Sequence, residues 1–136
     1  MIYKHRTKPQ ELVVFEILNK RNELSSKDKQ YYLYQKKGYE GELLFDSLTE
    51  KLQCDCLILN DLLLEVNNTT FQIDTLILIE GKIRTFEVKY YEGDYYYEAT
   101  KLYKKPKHEV SNPIIQLNRC ESLLSQLLRT HGCHLP

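Results

Sequence analysis

The sequence predicts an α/β domain, and three features of its 136 residues lead to that prediction. Apolar residues recur at helical spacing near both ends of the chain, whereas the middle holds three short apolar runs. The segments "NNT" and "EGK" separate those runs, and their residue types are typical of tight hairpin turns. A chain of this length is expected to form one domain around one core.

Two predicted helices precede the apolar runs. The first extends from Thr7, three positions before Gln10 as in a capping box, to about Arg21, with Pro9 in its first turn. The second begins at the serine cap of "SSKDKQ" and ends at about Leu52. Its amphipathic stripe, at three- and four-residue steps, consists of Leu44, Phe45, Leu48 and Leu52.

Two glycines interrupt the second predicted helix, at Gly38 and Gly41. Glycine inside a helix costs up to about 1 kcal/mol relative to alanine, so its use there needs a reason. We expect both glycines to permit a close approach of another backbone at this end of the domain.

The runs "CLILNDLLLEV", "FQIDTLILI" and "IRTFEVKYY" predict a three-stranded antiparallel meander. The more polar "DYYYEATKLY" predicts a fourth strand at an edge of that sheet. A last helix is predicted from "SNPIIQLNRC", with Ser111 or Asn112 as its cap, Pro113 at its first position and Gly132 as its stop.

The overall composition limits the classes of partner. Nineteen basic and nineteen acidic side chains cancel, so any anionic partner must be met by a local patch. No apolar run approaches the roughly 20 residues of a membrane helix, and "MIYKHRTKPQ" is not followed by the apolar stretch of a signal peptide. We therefore expect a cytoplasmic protein whose four cysteines are reduced thiols.

Three charges, Asp74, Glu87 and Lys89, lie within the second and third apolar runs. A two-residue turn at 80–81 would put Asp74 opposite Glu87, whereas a turn at 81–82 would put it opposite Lys89. In either register all three side chains share one face of the hairpin, since residues two apart on a strand point the same way.

Two carboxylates within cross-strand reach repel each other unless a positive charge compensates them. Converging oxygen ligands suit a hard cation such as Mg²⁺ or Mn²⁺, and Lys89 would orient a water or stabilise a charged transition state. That arrangement suits phosphodiester hydrolysis. A structural salt bridge between Lys89 and either carboxylate explains the same pattern about equally well.

An Asp, a hairpin and Glu-x-Lys in this order resemble the signature of the PD-(D/E)XK nuclease superfamily. More narrowly, the chain from about Gly38 to Leu128 resembles the nuclease-related domain, called NERD, of bacterial proteins. The resemblance rests on four ordered pieces, "GYEGE", "QID", "FEVKYYEG" and "NPIIQ". It implies a restriction-endonuclease-like α-β-β-β-α core, with the meander flanked by helices, over about 38–130 and a helical extension over about 1–37.

The resemblance also implies the roles of five residues in hydrolysis of DNA, with RNA left open as a substrate. Glu42, Asp74 and Glu87 would hold Mg²⁺ or Mn²⁺, Lys89 would be the catalytic lysine, and Gln116 would assist from the first turn of the last helix. Without the family, Glu42 would be an ordinary solvated carboxylate and Gln116 a helix-start hydrogen-bonding residue. The alternative function is a non-catalytic nucleic-acid-binding or interaction module on the same fold.

The chain departs from the superfamily pattern in two ways. The superfamily core ends in a strand that this chain does not reach, which implies a C-terminally truncated domain with an exposed sheet edge and self-association through it. Cys120 stands where some related exonucleases carry a tyrosine, four residues after the helix glutamine.

Lysines and tyrosines interleave before the last helix and are candidate nucleic-acid contacts. Lysines neutralise phosphates, and exposed tyrosines stack on unpaired bases for about 1 to 3 kcal/mol each. A lysine-protected edge strand with half-buried tyrosines is the slightly favoured alternative. The basic start "YKHRTK" is interpreted first as a solvated terminus and second as a phosphate contact. The candidate contacts are Lys101, Lys104, Lys105, Lys107 and Tyr95.

Overall fold

The computed structural model describes residues 1–133, which form three helices and two β-sheets. None of the helices in this range combines the length and the apolar character that crossing a bilayer requires. The helices are α1 (Gln10–Lys20), α2 (Ser26–Thr49) and α3 (Pro113–Thr130). The strands are β1 (Ile2–Lys4), β2 (Cys56–Val66), β3 (Thr69–Ile79), β4 (Lys82–Phe86), β5 (Tyr95–Glu98), β6 (Lys101–Lys104) and β7 (His108–Val110).

The larger sheet has the order β1-β2-β3-β4 and contains the predicted antiparallel meander. Its two hairpins turn at Asn67–Asn68 and Glu80–Gly81, and all four of these residues have positive φ, as two-residue turns with the twist of the strands require. The meander is therefore confirmed, but its third strand ends at Phe86, so the prediction that Glu87 and Lys89 lie inside that strand is wrong. The outer strand β1 was not predicted, and it lies parallel to β2.

The prediction of a fourth, edge strand for "DYYYEATKLY" is wrong. This segment forms the antiparallel pair β5 and β6, and with β7 it makes a separate three-stranded sheet. The chain leaves the larger sheet after Phe86, so the later strands pair with each other. Tyr96 stacks on Tyr103 across the new pair, with ring centroids 5.6 Å apart.

The core lies on both faces of the larger sheet. On one face α3 buries Cys120 and Leu124 against the meander, where Phe71 and Ile73 are also buried. On the other face a smaller cluster meets the ring of Phe86. The ring of Phe86 lies 5.4 Å from that of Phe45, which joins α2 to β4. The chain thus has the predicted α/β architecture with a restriction-endonuclease-like core, a meander flanked by helices.

The predicted apolar stripe of α2 is wrong, with the exception of Phe45. Leu44, Leu48 and Leu52 are about half exposed, and α2 ends before the last of them. The buried residues in the second half of the helix are instead small or polar. The inner face of α2 thus accommodates polar partners and a close neighbour, and the leucines lie outside. These buried residues are Gly41, Asp46 and Thr49.

The helix starts follow the predicted capping in two cases of three. Ser25 and Asn112 each accept a hydrogen bond from the backbone N–H of the first helical turn, as predicted. The prediction of Thr7 as the cap of α1 is wrong, because Pro9 holds the cap position and no side chain caps that helix.

Candidate active site

One cavity of about 550 Å³ is lined by all five predicted site residues. Glu42 comes from α2 and Asp74 from β3, whereas Glu87 and Lys89 come from the segment after β4. Gln116 comes from the first turn of α3. Four segments that are distant in sequence therefore meet at one space.

The hairpin register decides how Asp74 faces the opposite segment. The β3–β4 ladder ends where Thr75 pairs with Phe86, so the next position sets Asp74 against Glu87. No further ladder pair forms there, and Asp74 Oδ2 instead accepts a hydrogen bond of 2.8 Å from the N–H of Val88. This bond fixes the Asp74 carboxylate at the wall of the cavity, and the register is the first of the two predicted alternatives.

Lys89 and Glu87 form a partly buried ion pair. Lys89 Nζ donates to Glu87 Oε1 at 2.5 Å, and only 5% of the Glu87 side chain is exposed. Burial raises the pKa of Glu87, and the charge of Asp74 adds to that effect while Lys89 opposes it. Burial alone would lower the pKa of Lys89, but its bond to Glu87 and the nearby carboxylate charges outweigh burial and raise it. Lys89 is therefore an ammonium ion at neutral pH.

Glu42 is carried into the site by a close contact of α2. A Cβ built on Gly41 would lie 2.4 Å from Cβ of Tyr90, so the helix approaches this segment as closely as the expectation for Gly41 requires. The same expectation for Gly38 is wrong, because a Cβ there meets nothing within 4 Å. Burial raises the pKa of Glu42, Asp74 adds to the effect, and Arg6 opposes it.

The five predicted site residues lie within a segment that matches a known protein family. The family described as the nuclease-related domain matches residues 37–136, most of the chain. The chain belongs to the nuclease-related domain (NERD) family. The resemblance based on the four sequence pieces is thereby confirmed, and membership implies a nuclease-related function. No curated protein and no solved structure matched the chain.

Arg6 is a site residue that the sequence prediction missed, and it lies outside the matched NERD segment. Its side chain is only 2% exposed, so the expectation of a solvated N-terminal stretch is wrong at this position. Strand β1 carries the chain along β2 and brings Arg6 to α2, where it contacts Glu42 and Asp46. These two carboxylates are one helical turn apart on α2, and a buried acid beside a partly buried acid on one face requires a cation as partner.

Asp61 is a second residue that the prediction missed. It lies in β2 with a φ of 54°, between the paired positions that flank Asp74 on β3, and it lines the same cavity. Gln72 Nε2 donates to Asp61 Oδ1 at 2.8 Å, and Lys4 Nζ donates to its carbonyl oxygen at 2.6 Å. The sequence feature that could have indicated Asp61 is an acidic residue within the apolar run "LILNDLLLEV".

Cys120 belongs to the core of this NERD domain. It is 5% exposed, and its thiol donates to the carbonyl of Gln72 at 3.3 Å. Burial is the main cause that raises the pKa of the thiol, and it keeps the group protonated. The position at which some relatives carry a tyrosine is thus filled here by a packing residue.

The predicted nucleic-acid contacts lie on and beside the smaller sheet, and most of the lysines there already have acidic partners. Lys101 pairs with Glu109, Lys105 with Asp94 and Lys107 with Glu98, at 2.9, 3.6 and 3.1 Å. Four lysines against three carboxylates leave little excess positive charge. Lys104 lies 5.9 Å from the ring centroid of Tyr95, which stacks on Tyr91 at the cavity wall. Their contact with nucleic acid stays a prediction.

The donor chemistry of the site fits a hard divalent cation. Within residues 1–133 no three acidic, histidine or cysteine side chains form a metal-binding cluster as they lie. Glu42 pairs with Arg6, and Glu87 pairs with Lys89. Asp74 forms no salt bridge in this range. Carboxylate oxygens are the ligands that Mg²⁺ and Mn²⁺ prefer, and burial is the main cause that raises the pKa of Glu42 and of Glu87, with the charge of Asp74 adding to it.

Proposed function

We propose that this NERD domain is a metal-dependent nuclease that hydrolyses phosphodiester bonds of DNA. The observation that carries the proposal is that Glu42, Asp74, Glu87, Lys89 and Gln116 all line one cavity. A structural ion pair would explain the contact between Lys89 and Glu87. It would give no reason for carboxylates of α2 and β3 to line the same space.

Glu42, Asp74 and Glu87 would hold Mg²⁺ or Mn²⁺. Once bound, such an ion supplies Lewis-acid polarisation of the phosphate and a water of lowered pKa. The chain contributes a carboxylate fixed in advance, because the N–H of Val88 holds Asp74 Oδ2. It also contributes an acidic wall in which burial and the charge of Asp74 raise the pKa of Glu42 and Glu87.

In this proposal Lys89 supplies a positive charge and hydrogen-bond donors. Its raised pKa keeps the ammonium protonated at neutral pH, so it has three donors and no lone pair with which to accept a proton. It therefore stabilises negative charge on the phosphate in the transition state or holds the attacking water by donation. Glu87 keeps the ammonium at the cavity wall.

Gln116 has a positioning role. Its amide stands in the first turn of α3 and both donates and accepts hydrogen bonds. A neutral group of this kind orients a water or a phosphate oxygen and leaves the local charge unchanged. Asn112 fixes the start of the helix, and with it Gln116, by accepting the N–H of Ile114 at 3.0 Å.

The test is cleavage of plasmid and single-stranded DNA in the presence of Mg²⁺. Replacing Lys89 by Ala removes the donor, and we expect the rate to fall about 100-fold or more, as for other charge-stabilising donors. Lys82→Ala is the matched control, since Lys82 is an exposed lysine at the first position of β4 and does not line the cavity.

Unchanged cleavage by folded Lys89→Ala contradicts the proposal, and so does cleavage that persists in excess chelator. The non-catalytic module gives a different result. It would bind DNA with an affinity that falls with salt, is indifferent to chelator and leads to no cleavage.

A further inference from the structure

Arg6 connects the two elements that carry opposite walls of the candidate site. Its Nη1 donates to Glu42 Oε2 on α2 at 2.9 Å, and its Nη2 donates to the backbone carbonyl of Asp74 on β3 at 2.8 Å. A third bond, of 3.3 Å, joins Nη2 to Thr75 Oγ1. One buried guanidinium therefore joins a helix carboxylate to the backbone of a strand residue, and both residues line the cavity.

The charge of Arg6 is largely matched by another residue. Asp46 accepts from Nε at 2.9 Å and from Nη2 at 3.0 Å, so the two groups form a two-point ion pair. Asp46 is itself 8% exposed and lies one helical turn from Glu42. Because Asp46 accepts two bonds from the guanidinium and Glu42 accepts one, Asp46 shares the charge of Arg6 while the single bond orients the Glu42 carboxylate. The contact engages Oε2 alone.

The contacts with Glu42 and the Asp74 carbonyl go beyond what anchoring of the N-terminal segment needs. The pairing of β1 with β2 and the Asp46 pair already attach that segment to the domain. The planar fork of arginine reaches several acceptors in fixed directions, which a lysine cannot do. Groups that hold metal ligands in place are worth about 10- to 100-fold in metal affinity.

We propose that Arg6 is a positioning residue of the metal centre, which holds the Glu42 carboxylate in register with Asp74. Residues before the matched segment 37–136 thus belong to the functional unit. The inference rests on the proposed function, since it assumes that these carboxylates bind a divalent cation.

The test measures Mn²⁺ affinity of the full chain by electron paramagnetic resonance, which reports binding without turnover. The double variant Arg6→Met/Asp46→Leu removes the ion pair without changing the net charge, and Arg6→Lys keeps the charge but loses the fork. We expect affinity about 10- to 100-fold weaker in the double variant and at least about 10-fold weaker in Arg6→Lys. If the double variant does not fold, the Mn²⁺ affinity of Arg6→Lys alone tests the inference.

Lys8→Met is the matched control, because Lys8 is a cation of the same segment that pairs with Glu16 on α1 and does not line the cavity. It should keep the affinity of the parent chain. Parent-like Mn²⁺ binding in folded Arg6→Lys overturns the inference and leaves the proposed function standing. An equal loss in Lys8→Met also overturns it, since general loosening of the N-terminal segment would then be the cause. Absence of Mn²⁺ binding by the parent chain overturns both proposals.

Discussion

Replacement of Gly41 by alanine tests how tightly α2 is seated at the site. The added Cβ would lie 2.4 Å from Cβ and 2.9 Å from Cγ of Tyr90. Cβ of Tyr90 is attached to the backbone and cannot move away by a rotamer change, so the helix or the segment after β4 must shift. Overpacking of this kind costs about 1 to 3 kcal/mol.

Gly38→Ala provides the matched control, because it lies in the same helix and a Cβ there meets nothing within 4 Å. Both alanines gain the same intrinsic helix preference, up to about 1 kcal/mol. The difference between the two variants in the free energy of unfolding therefore isolates the clash, at about 1 to 3 kcal/mol. Gly38→Ala should be more stable than the parent chain, and Gly41→Ala less stable than Gly38→Ala by that amount.

Urea unfolding followed by circular dichroism at 222 nm measures both free energies on the same chain. Equal stabilities of Gly41→Ala and Gly38→Ala would refute the close seating of α2. The clash involves Cβ of Tyr90 itself, so Tyr90→Ala should not relieve it. Full rescue of Gly41→Ala by Tyr90→Ala would thus show that a different contact is responsible.

Three further outcomes follow from single features of the fold. Glu80→Asn should raise the free energy of unfolding by about 1 kcal/mol, because Glu80 has a φ of 51° in a turn that favours Asn-Gly. A lower free energy of unfolding, measured with urea, would contradict this. Asn112→Ala should lower it by about 1 kcal/mol through loss of the cap on the N–H of Ile114, and unchanged stability would count against that cap. The Mn²⁺ affinity should begin to fall at a pH above 4.5, the ordinary pKa of a glutamate carboxyl, as the pH is lowered. Burial and the charge of Asp74 raise the pKa of Glu42 and Glu87, and protonated acids do not bind the ion. An affinity that begins to fall only well below pH 4.5 would contradict those shifts.

The meander and its register were predictable because local chemistry determines them. Turn residues set the register, in which Thr75 pairs with Phe86, and the ladder then ends before the charged positions Glu87 and Lys89. The last helix was predictable for the same reason, since Asn112 and Pro113 mark its start within three residues. Apolar periodicity and the residues that cap helices or form turns are sufficient to predict an element that its own sequence specifies.

The parts that were missed depend on contacts distant in sequence. Strand β1 has three residues, too few for any period to show, and Arg6 is buried only because β1 pairs with β2. The stripe of Leu44 and Leu48 was misinterpreted because the inner face of α2 is occupied by polar groups that meet Arg6. Burial of a charge is decided by the partner, and the partner of Asp46 lies 40 residues away.

The Arg6 bonds also determine when the cavity takes shape during folding. They close chain loops of 36 residues to Glu42 and 68 residues to Asp74. Such long closures add loop entropy that must be overcome before the contacts contribute, so topologies dominated by them fold slowly. A chain emerging from the ribosome can form the β3–β4 hairpin as soon as both strands are released. The geometry of the cavity must wait until Arg6, which is made before that hairpin, has come into contact with it.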